Sequence, residues 1–298
     1  MYSYCSFGLN IASDIEFPEL LPASFDQTDL TIVTGNVVLP GHGRTIIWGD
    51  YTVELHENEV YFDVKGIATY MAKDGEKICI NASAGQKDHR TIRIYILGTI
   101  MAAILLQRKR LPLHASAILM KGEVMLISGD SGAGKSSTLS GLVKRGRKVF
   151  SDDIVVIDSE GLACASYPMI KLWEDTQEKL NDPAFAGKSF EIREDMKKFG
   201  VFFHDEFDTG HYPVKKIIVL KKGAGSRIEH RMLNSSNAFN EIRKQVYRPA
   251  FAHTNELRAF MFTLVSKLTN FCDVYEVTRP EQCDIDELSA YVNDLMSA

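Results

Sequence analysis

The sequence predicts an α/β (α+β) fold, with a phosphate-loop domain preceded by a β-rich N-terminal region. Three observations lead there. Residues 129–136 read GDSGAGKS and fill the template G-x-x-x-x-G-K-[ST] without a mismatch. Residues 123–128 (EVMLIS) have strand character and residues 137–145 (STLSGLVKR) have helix character, so the loop sits in the strand–loop–helix context it requires. Finally, residues 1–88 are a succession of short alternating runs, whereas the rest of the chain mixes strand and helix patterns.

In the N-terminal region the candidate strands are residues 4–11, 30–38, 45–55, 59–64, 68–72 and 77–82. Turn signals such as Gly41-His42-Gly43 and Asp74-Gly75 separate them. Alternation, as in Tyr51-Thr52-Val53-Glu54-Leu55, predicts an antiparallel sheet with one wet face. His42 and His56 stand alone here and suggest no chemistry. Residues 88–110 read as one helix, with Asp88 near its start, three basic residues at its end and Pro112 stopping it. Its apolar run, residues 94–106, is expected to be a core helix, too short to span a bilayer. The predicted division is a β-rich region over residues 1–88 and a catalytic domain over 89–298, with helix 89–110 as the joint.

Past that joint the pattern runs strand (114–120), turn, strand (123–128), loop and helix. Strands are expected at 148–151, 154–158, 214–221 and 274–277. Helices are expected from Trp173 and at 238–246, 254–268 and 285–296, and residues 181–198 read as a surface segment.

Composition narrows the function. A chain of 298 residues, 45% hydrophobic and 24% charged, has room for one large or two modest domains. A net charge of −5 offers no general field for nucleic acid. The five cysteines are scattered, without a C-x-x-C pair, so neither a disulfide framework nor a zinc site is indicated. The N-terminus has acids by Asp14 and no basic-then-apolar pattern, so no signal peptide is read. A cytoplasmic protein without membrane attachment is expected, with homo-oligomer formation left open.

The loop itself calls for a nucleoside triphosphate. Gly129, Gly132 and Gly134 allow the tight turn that brings the N–H groups of Gly129, Asp130, Ser131, Gly132, Ala133, Gly134, Lys135, Ser136 and Ser137 near phosphate oxygens. The following helix directs its positive end at the same anion. Lys135 supplies a cation for the outer phosphates, and the Ser136 hydroxyl can reach Mg²⁺.

One helix later comes Asp152-Asp153, where the next strand should return beside the loop strand. Adjacent residues on an extended chain point oppositely, so one carboxylate could serve the metal and the other an acceptor hydroxyl. A solvated acidic turn is the plainer alternative. His114 stands at a strand start, one strand before the loop.

Together these residues resemble the HPr kinase/phosphorylase family in its catalytic half, over the stretch LHASAILMKGEVMLISGDSGAGKSSTLSGLVKRGRKVFSDDIVVID. His114 precedes Lys135 by 21 residues, and Asp153 follows it by 18. The flanks FGLNIASDIEFPEL, LHASA and YPMIKLWEDTQEKL resemble a diverged branch of HPr kinase-like proteins. Some of that branch are tailoring kinases acting on serine in lasso-peptide precursors.

The resemblance implies the fold shared with ATP-dependent phosphoenolpyruvate carboxykinases, and ATP and Mg²⁺ as cofactors. It implies that Lys135 holds the β- and γ-phosphates and that Ser136 ligates Mg²⁺. One of Asp152 and Asp153 would be the base (Asp153 is favoured), the other supporting metal or His114, with His114 near the transferred phosphate. A peptide or small protein substrate follows. The chain departs from the family in lacking its downstream glycine-rich signature with a metal-serving Glu. No role passes to Glu174, Asp175 or Glu178, and a bifunctional HPr-type kinase/phosphorylase becomes the second reading. A non-catalytic ATP-binding regulator is the third, and it would need no base.

Overall fold

The computed structural model describes residues 1–85, 89–173, 189–193 and 196–298. It forms two compact units, Met1–Pro112 with Tyr247–Met261, and Leu113–Val246 with Phe262–Ala298. The chain therefore divides after Pro112 rather than at residue 88.

The first unit is built on one nine-stranded sheet. Its strands are β1 (Tyr2–Ser6), β2 (Leu9–Ser13), β3 (Leu21–Pro22), β4 (Leu30–Thr34), β5 (Arg44–Trp48), β6 (Tyr51–Leu55), β7 (Glu59–Val64), β8 (Ala68–Lys73) and β9 (Lys77–Ala82). They lie in the order β3-β1-β2-β4-β9-β8-β7-β6-β5. Two expected strands are hairpins instead. The run 4–11 folds back at Phe7 and Gly8, both left-handed at φ 59 and 66, as a two-residue hairpin turn demands. The run 45–55 reverses at Gly49-Asp50. The sheet is mixed rather than antiparallel, since β4 runs parallel to both β2 and β9. The β5–β9 meander brings its last strand home beside β4 in the same direction.

Helix α1 (His89–Gln107) is one helical stretch with a π-helical turn at Ile96–Ile100. It belongs with this sheet, which is why it is no joint. Arg93 Nε donates to Glu19 at 2.9 and 3.0 Å, the Tyr70 hydroxyl to Ile92 O at 3.3 Å, and Gln107 Nε2 to Ala72 O at 3.2 Å. At 19 residues it is long and apolar enough to cross a membrane, contrary to the expectation from the shorter run. Yet 67% of its most apolar window is buried, as in a core helix. Asp88 lies outside the described residues.

β10 (Leu111–Leu113) leads into the second unit. There follow β11 (Ser116–Met120), β12 (Glu123–Gly129), α2 (Lys135–Lys144), β13 (Lys148–Ser151), β14 (Val155–Ile157) and β15 (Leu162–Ala165). Next come β16 (Met169–Trp173), β17 (Ser189–Arg193), β18 (Met196–Phe202), β19 (His211–Gly223) and β20 (Glu229–Met232). The chain closes with α3 (Ser235–Lys244), α4 (Asn255–Phe271), β21 (Asp273–Pro280) and α5 (Ile285–Ser297). The main sheet runs β14-β15-β19-β12-β11-β13, with β21 paired to β19 and β20 to β21. β12, β19 and β21 are parallel to one another. This mixture of strands and helices is an α/β arrangement.

Two expectations need correcting here. β13, which delivers the acidic pair, does not lie beside the loop strand. It pairs with β11, which lies between them. Because β12 and β13 both run antiparallel to β11, they still end at the same edge of the sheet. Trp173 ends a strand, β16, paired antiparallel with β18, rather than opening a helix. Residues 174–180, with Glu174, Asp175 and Glu178, lie outside the described residues. So do 181–188 and 194–195 of the expected surface segment, while 189–193 and 196–198 are strand.

Ile118, Ile127, Leu139, Leu142, Ile218, Leu220, Val277, Leu288 and Val292 form the core between this sheet and helices α2 and α5. Gly141 permits the close approach of those helices, since a Cβ there would stand 2.5 Å from Ser289 Cβ.

An ion-pair network ties β19, β21, β20 and α3. Lys221 Nζ lies 2.7 Å from Glu276 and 3.2 Å from Glu241, and Arg231 lies 2.8 Å from Glu276. Burial pulls the Glu276 carboxyl upward, but hydrogen bonds and charge from Lys221 and Arg231 outweigh it and hold it below 4.5. A depressed acid stabilises the fold above its unfolded value and loses that contribution as pH falls through the folded one. Glu276→Gln is therefore expected to cost about 1–2 kcal/mol at pH 7, discounted for the exposed Arg231, and less at pH 3. Urea unfolding at the two pH values checks it. An equal loss at both would exclude the ionic origin.

Candidate active site

The parallel strands and the reversed β11 bring chemically able residues to one edge. β12 ends at Gly129, the start of the loop, and a Cβ there would overlap the Leu220 carbonyl of β19, so only glycine fits. Its N–H donates to Gln245 Oε1 at 3.2 Å, and the Gln245 carbonyl accepts from His114 N at 2.7 Å. His114 sits two residues before β11, not within it. A single cavity of about 230 Å³ is lined by His114, Ser131, Gly132, Gly134, Lys135, Ser136, Ser137, Asp152 and Asp153, joined by Lys171 and Arg279. That volume suits the phosphate end of a nucleotide rather than a whole drug-sized ligand.

Gly129, Asp130 and Ala133 do not line the cavity. They shape the loop from behind, Asp130 O accepting from Ala133 N at 3.0 Å while the Ala133 side chain joins the core.

Two cations brace the loop. Lys135 is buried and its Nζ donates to Gly129 O at 2.7 Å and Asp130 O at 3.4 Å. Arg279, near the end of β21, is buried too. Its Nε donates to Ala133 O at 2.8 Å and its Nη2 to Gly132 O at 3.2 Å, while Nη1 bonds Pro280 O and Glu281 O. In a trans peptide the N–H points away from the C=O of the same plane. Gripping the Ala133 carbonyl thus fixes the direction of the Gly134 N–H.

The acidic pair occupies two environments. Asp152 is buried, with both carboxylate oxygens engaged: Oδ1 accepts from Ser116 Oγ at 2.6 Å, and Oδ2 from the Lys171 N–H at 2.9 Å. Burial pushes its carboxyl above the ordinary range, aided by the Asp153 charge and opposed by those two hydrogen bonds. Asp153 stands at φ 70 in a three-residue turn closed by Ile154 N–H to Asp152 O at 2.9 Å, the γ-turn pattern. Strained backbone of this kind concentrates at functional sites. The Asp153 carboxylate meets Lys171 Nζ at 2.6 Å and lies 3.6 Å from His114 Nδ1. That same nitrogen lies 2.9 Å from Asp153 O. A carbonyl can only accept, so Nδ1 carries the proton.

Burial draws the Lys171 ammonium downward, yet Asp153 and the Tyr167 phenol raise it well above its ordinary value. Its Nζ lies 5.8 Å from the centre of the Tyr167 ring, and burial raises that phenol.

Lys171, Arg279, Gln245 and Ser116 escaped sequence reasoning. Arg279 reaches the loop across 146 residues and Gln245 across 116, and neither belongs to a motif. Two signals were available: Lys171 lies inside the quoted segment YPMIKLWEDTQEKL and Ser116 inside LHASA.

The site's donors suit Mg²⁺. Ser136 and the two carboxylates offer hard oxygen ligands, and no group of three or more His, Cys, Asp or Glu that could hold a metal occurs among the described residues. Mg²⁺ in phosphoryl-transfer sites takes one or two carboxylates with substrate phosphates and water, and this lining can supply that much.

No family model matches the chain. HPr kinase/phosphorylases of Clostridium botulinum strains Eklund 17B (Type B) and Alaska E43 (Type E3) are each 41% identical to it over 61 residues, 20% of this chain and 20% of each relative. The match spans a fifth of the relatives' length. The HPr(Ser) kinase/phosphatase of Coxiella burnetii superposes with a TM-score of 0.32 at 14% identity, over 62% of this chain and 96% of that one. The local identity supports the resemblance to HPr kinase-like proteins.

Proposed function

We propose that this chain is an ATP- and Mg²⁺-dependent kinase that transfers the γ-phosphate to a serine hydroxyl of a peptide, a ribosomally made precursor of the lasso type being the first candidate. One observation carries the reading: the phosphate loop with Lys135 and the acidic pair with His114 face the same cavity. A mere nucleotide-binding protein has no need of the second half.

In the proposed reaction the loop N–H groups and Lys135 bind the β- and γ-phosphates, and Arg279 keeps the loop in shape. Mg²⁺, held through Ser136 and Asp152, would neutralise charge on the phosphate oxygens. Asp153 orients the acceptor hydroxyl and takes its proton. The serine oxygen bonds to the γ-phosphorus, the bond from that phosphorus to the β–γ bridging oxygen breaks, and ADP leaves with the electron pair. Lys135 neutralises charge gathering on the leaving oxygens.

A peptide is favoured over a folded HPr protein because the glycine-rich Glu signature is missing from the sequence, and an extended peptide can be threaded to a recessed carboxylate. The test incubates the chain with Mg-ATP and a lasso-type precursor peptide, its serine-to-alanine variant, or HPr. One added phosphate on the parent peptide alone is expected. Phosphate on HPr alone, or on the alanine variant as readily as the parent, would reject the serine-peptide reading.

A further inference from the structure

We propose that Lys171 is a positioning residue for phosphoryl transfer, its ammonium aiming the Asp153 carboxylate while its main-chain N–H separately fixes Asp152. The role rests on the kinase reading above. Three observations carry it.

The first is that one residue touches both acids through chemically independent groups. The N–H of Lys171 meets Asp152 Oδ2 at 2.9 Å, and its Nζ meets Asp153 Oδ2 at 2.6 Å. Substituting the side chain therefore disturbs one carboxylate and spares the other.

The second is the competition for Asp153. His114 Nδ1 is 2.9 Å from the Asp153 carbonyl but 3.6 Å from its carboxylate, beyond hydrogen-bond length. Lys171, by contrast, is at the short end of charge-assisted contact. The turn at φ 70 fixes where the Asp153 side chain departs, and the ammonium fixes where it ends.

The third is location. Burying an ion pair is costly, and apolar side chains of like volume often serve a core better. This pair lies in the wall of the phosphate cavity, with the Lys171 and Asp153 side chains 17% and 23% exposed. There, small errors in a base's direction are felt in the rate, because in-line transfer tolerates little misplacement.

Lys171→Met keeps the stem and the main-chain N–H and deletes the ammonium. Two readouts are needed: affinity for a fluorescent ATP analogue, and ADP release from Mg-ATP with water as acceptor. The second does not depend on the peptide, so failure of the peptide test leaves it intact. The expected result is nucleotide affinity within about 3-fold of the unsubstituted chain, with kcat for ADP release lowered about 10²-fold. Lys171→Arg, which restores a cation, should recover kcat to within about 10-fold. If Lys171→Met does not fold, Lys171→Gln, whose amide is too short to reach Asp153, takes its place with the same split expected. A variant whose kcat stays within about 2-fold, or whose rate falls only as nucleotide affinity falls, overturns the positioning role. If the unsubstituted chain releases no ADP to water, the same split is expected in the rate of peptide phosphorylation, and absence of both activities overturns the kinase reading and the positioning role with it.

Discussion

Replacing Lys135 with alanine is expected to abolish phosphoryl transfer and leave the chain folded. Lys135 opens α2 with its ammonium turned back onto the loop, against Gly129 O at 2.7 Å and Asp130 O at 3.4 Å. In that position its contribution to stability is one buried charge-assisted hydrogen bond and one weaker contact, about 3 kcal/mol. Its contribution to transfer is much larger, because a cation aimed at oxygens that gain charge only in the transition state acts in a water-poor site. A loss of about 10³-fold or more in turnover is expected. Circular dichroism and turnover must be read on the same sample. A folded Lys135→Ala chain with near-unchanged activity would mean that the loop binds no reacting phosphate.

Legibility from sequence followed the range of the interaction. The phosphate loop was readable because its chemistry fixes four residue types within eight consecutive positions, and the short strands β7 (Glu59–Val64) and β8 (Ala68–Lys73) because their alternation stands between clear turns. The hairpin at Phe7-Gly8 was not readable. A phenylalanine at φ 59 is uncommon, and the run 4–11 looks continuous without knowledge of the turn. Strand neighbours were also beyond reach. Alternation reports a wet face but not direction, so the parallel pairings of β4 were invisible, as was the insertion of β11 between the strands carrying loop and acids. The same limit hid the residues around the site. Ser116 meets Asp152 across 36 positions, and Arg279 meets Gly132 across 147. Only the register of a folded sheet, in which Gly129 aligns with Leu220 and Leu220 with Val277, puts Arg279 beneath the loop.

Asp153→Asn is expected to keep nucleotide binding and to lower turnover by about 10²-fold or more, the range of a lost general base. Asparagine matches the shape of aspartate, so the γ-turn at φ 70 is kept, and Asn tolerates the left-handed region as well as Asp does. What disappears is the charge that orients and deprotonates an acceptor hydroxyl. The Lys171 ammonium, 2.6 Å away, loses its counter-ion at the same time, and some loss of thermal stability accompanies the substitution. Thermal unfolding must therefore be recorded beside turnover and compared at a temperature where the variant is folded. Asp152→Asn is the control. An amide there can accept from the Lys171 N–H through its oxygen and donate to Ser116 Oγ through its nitrogen, so both hydrogen bonds survive. Its expected effect is a higher Mg²⁺ requirement rather than a loss of the proton acceptor. If both variants turn over ATP and titrate Mg²⁺ as the unsubstituted chain does, the two acids are a structural turn and the proposed kinase has no base.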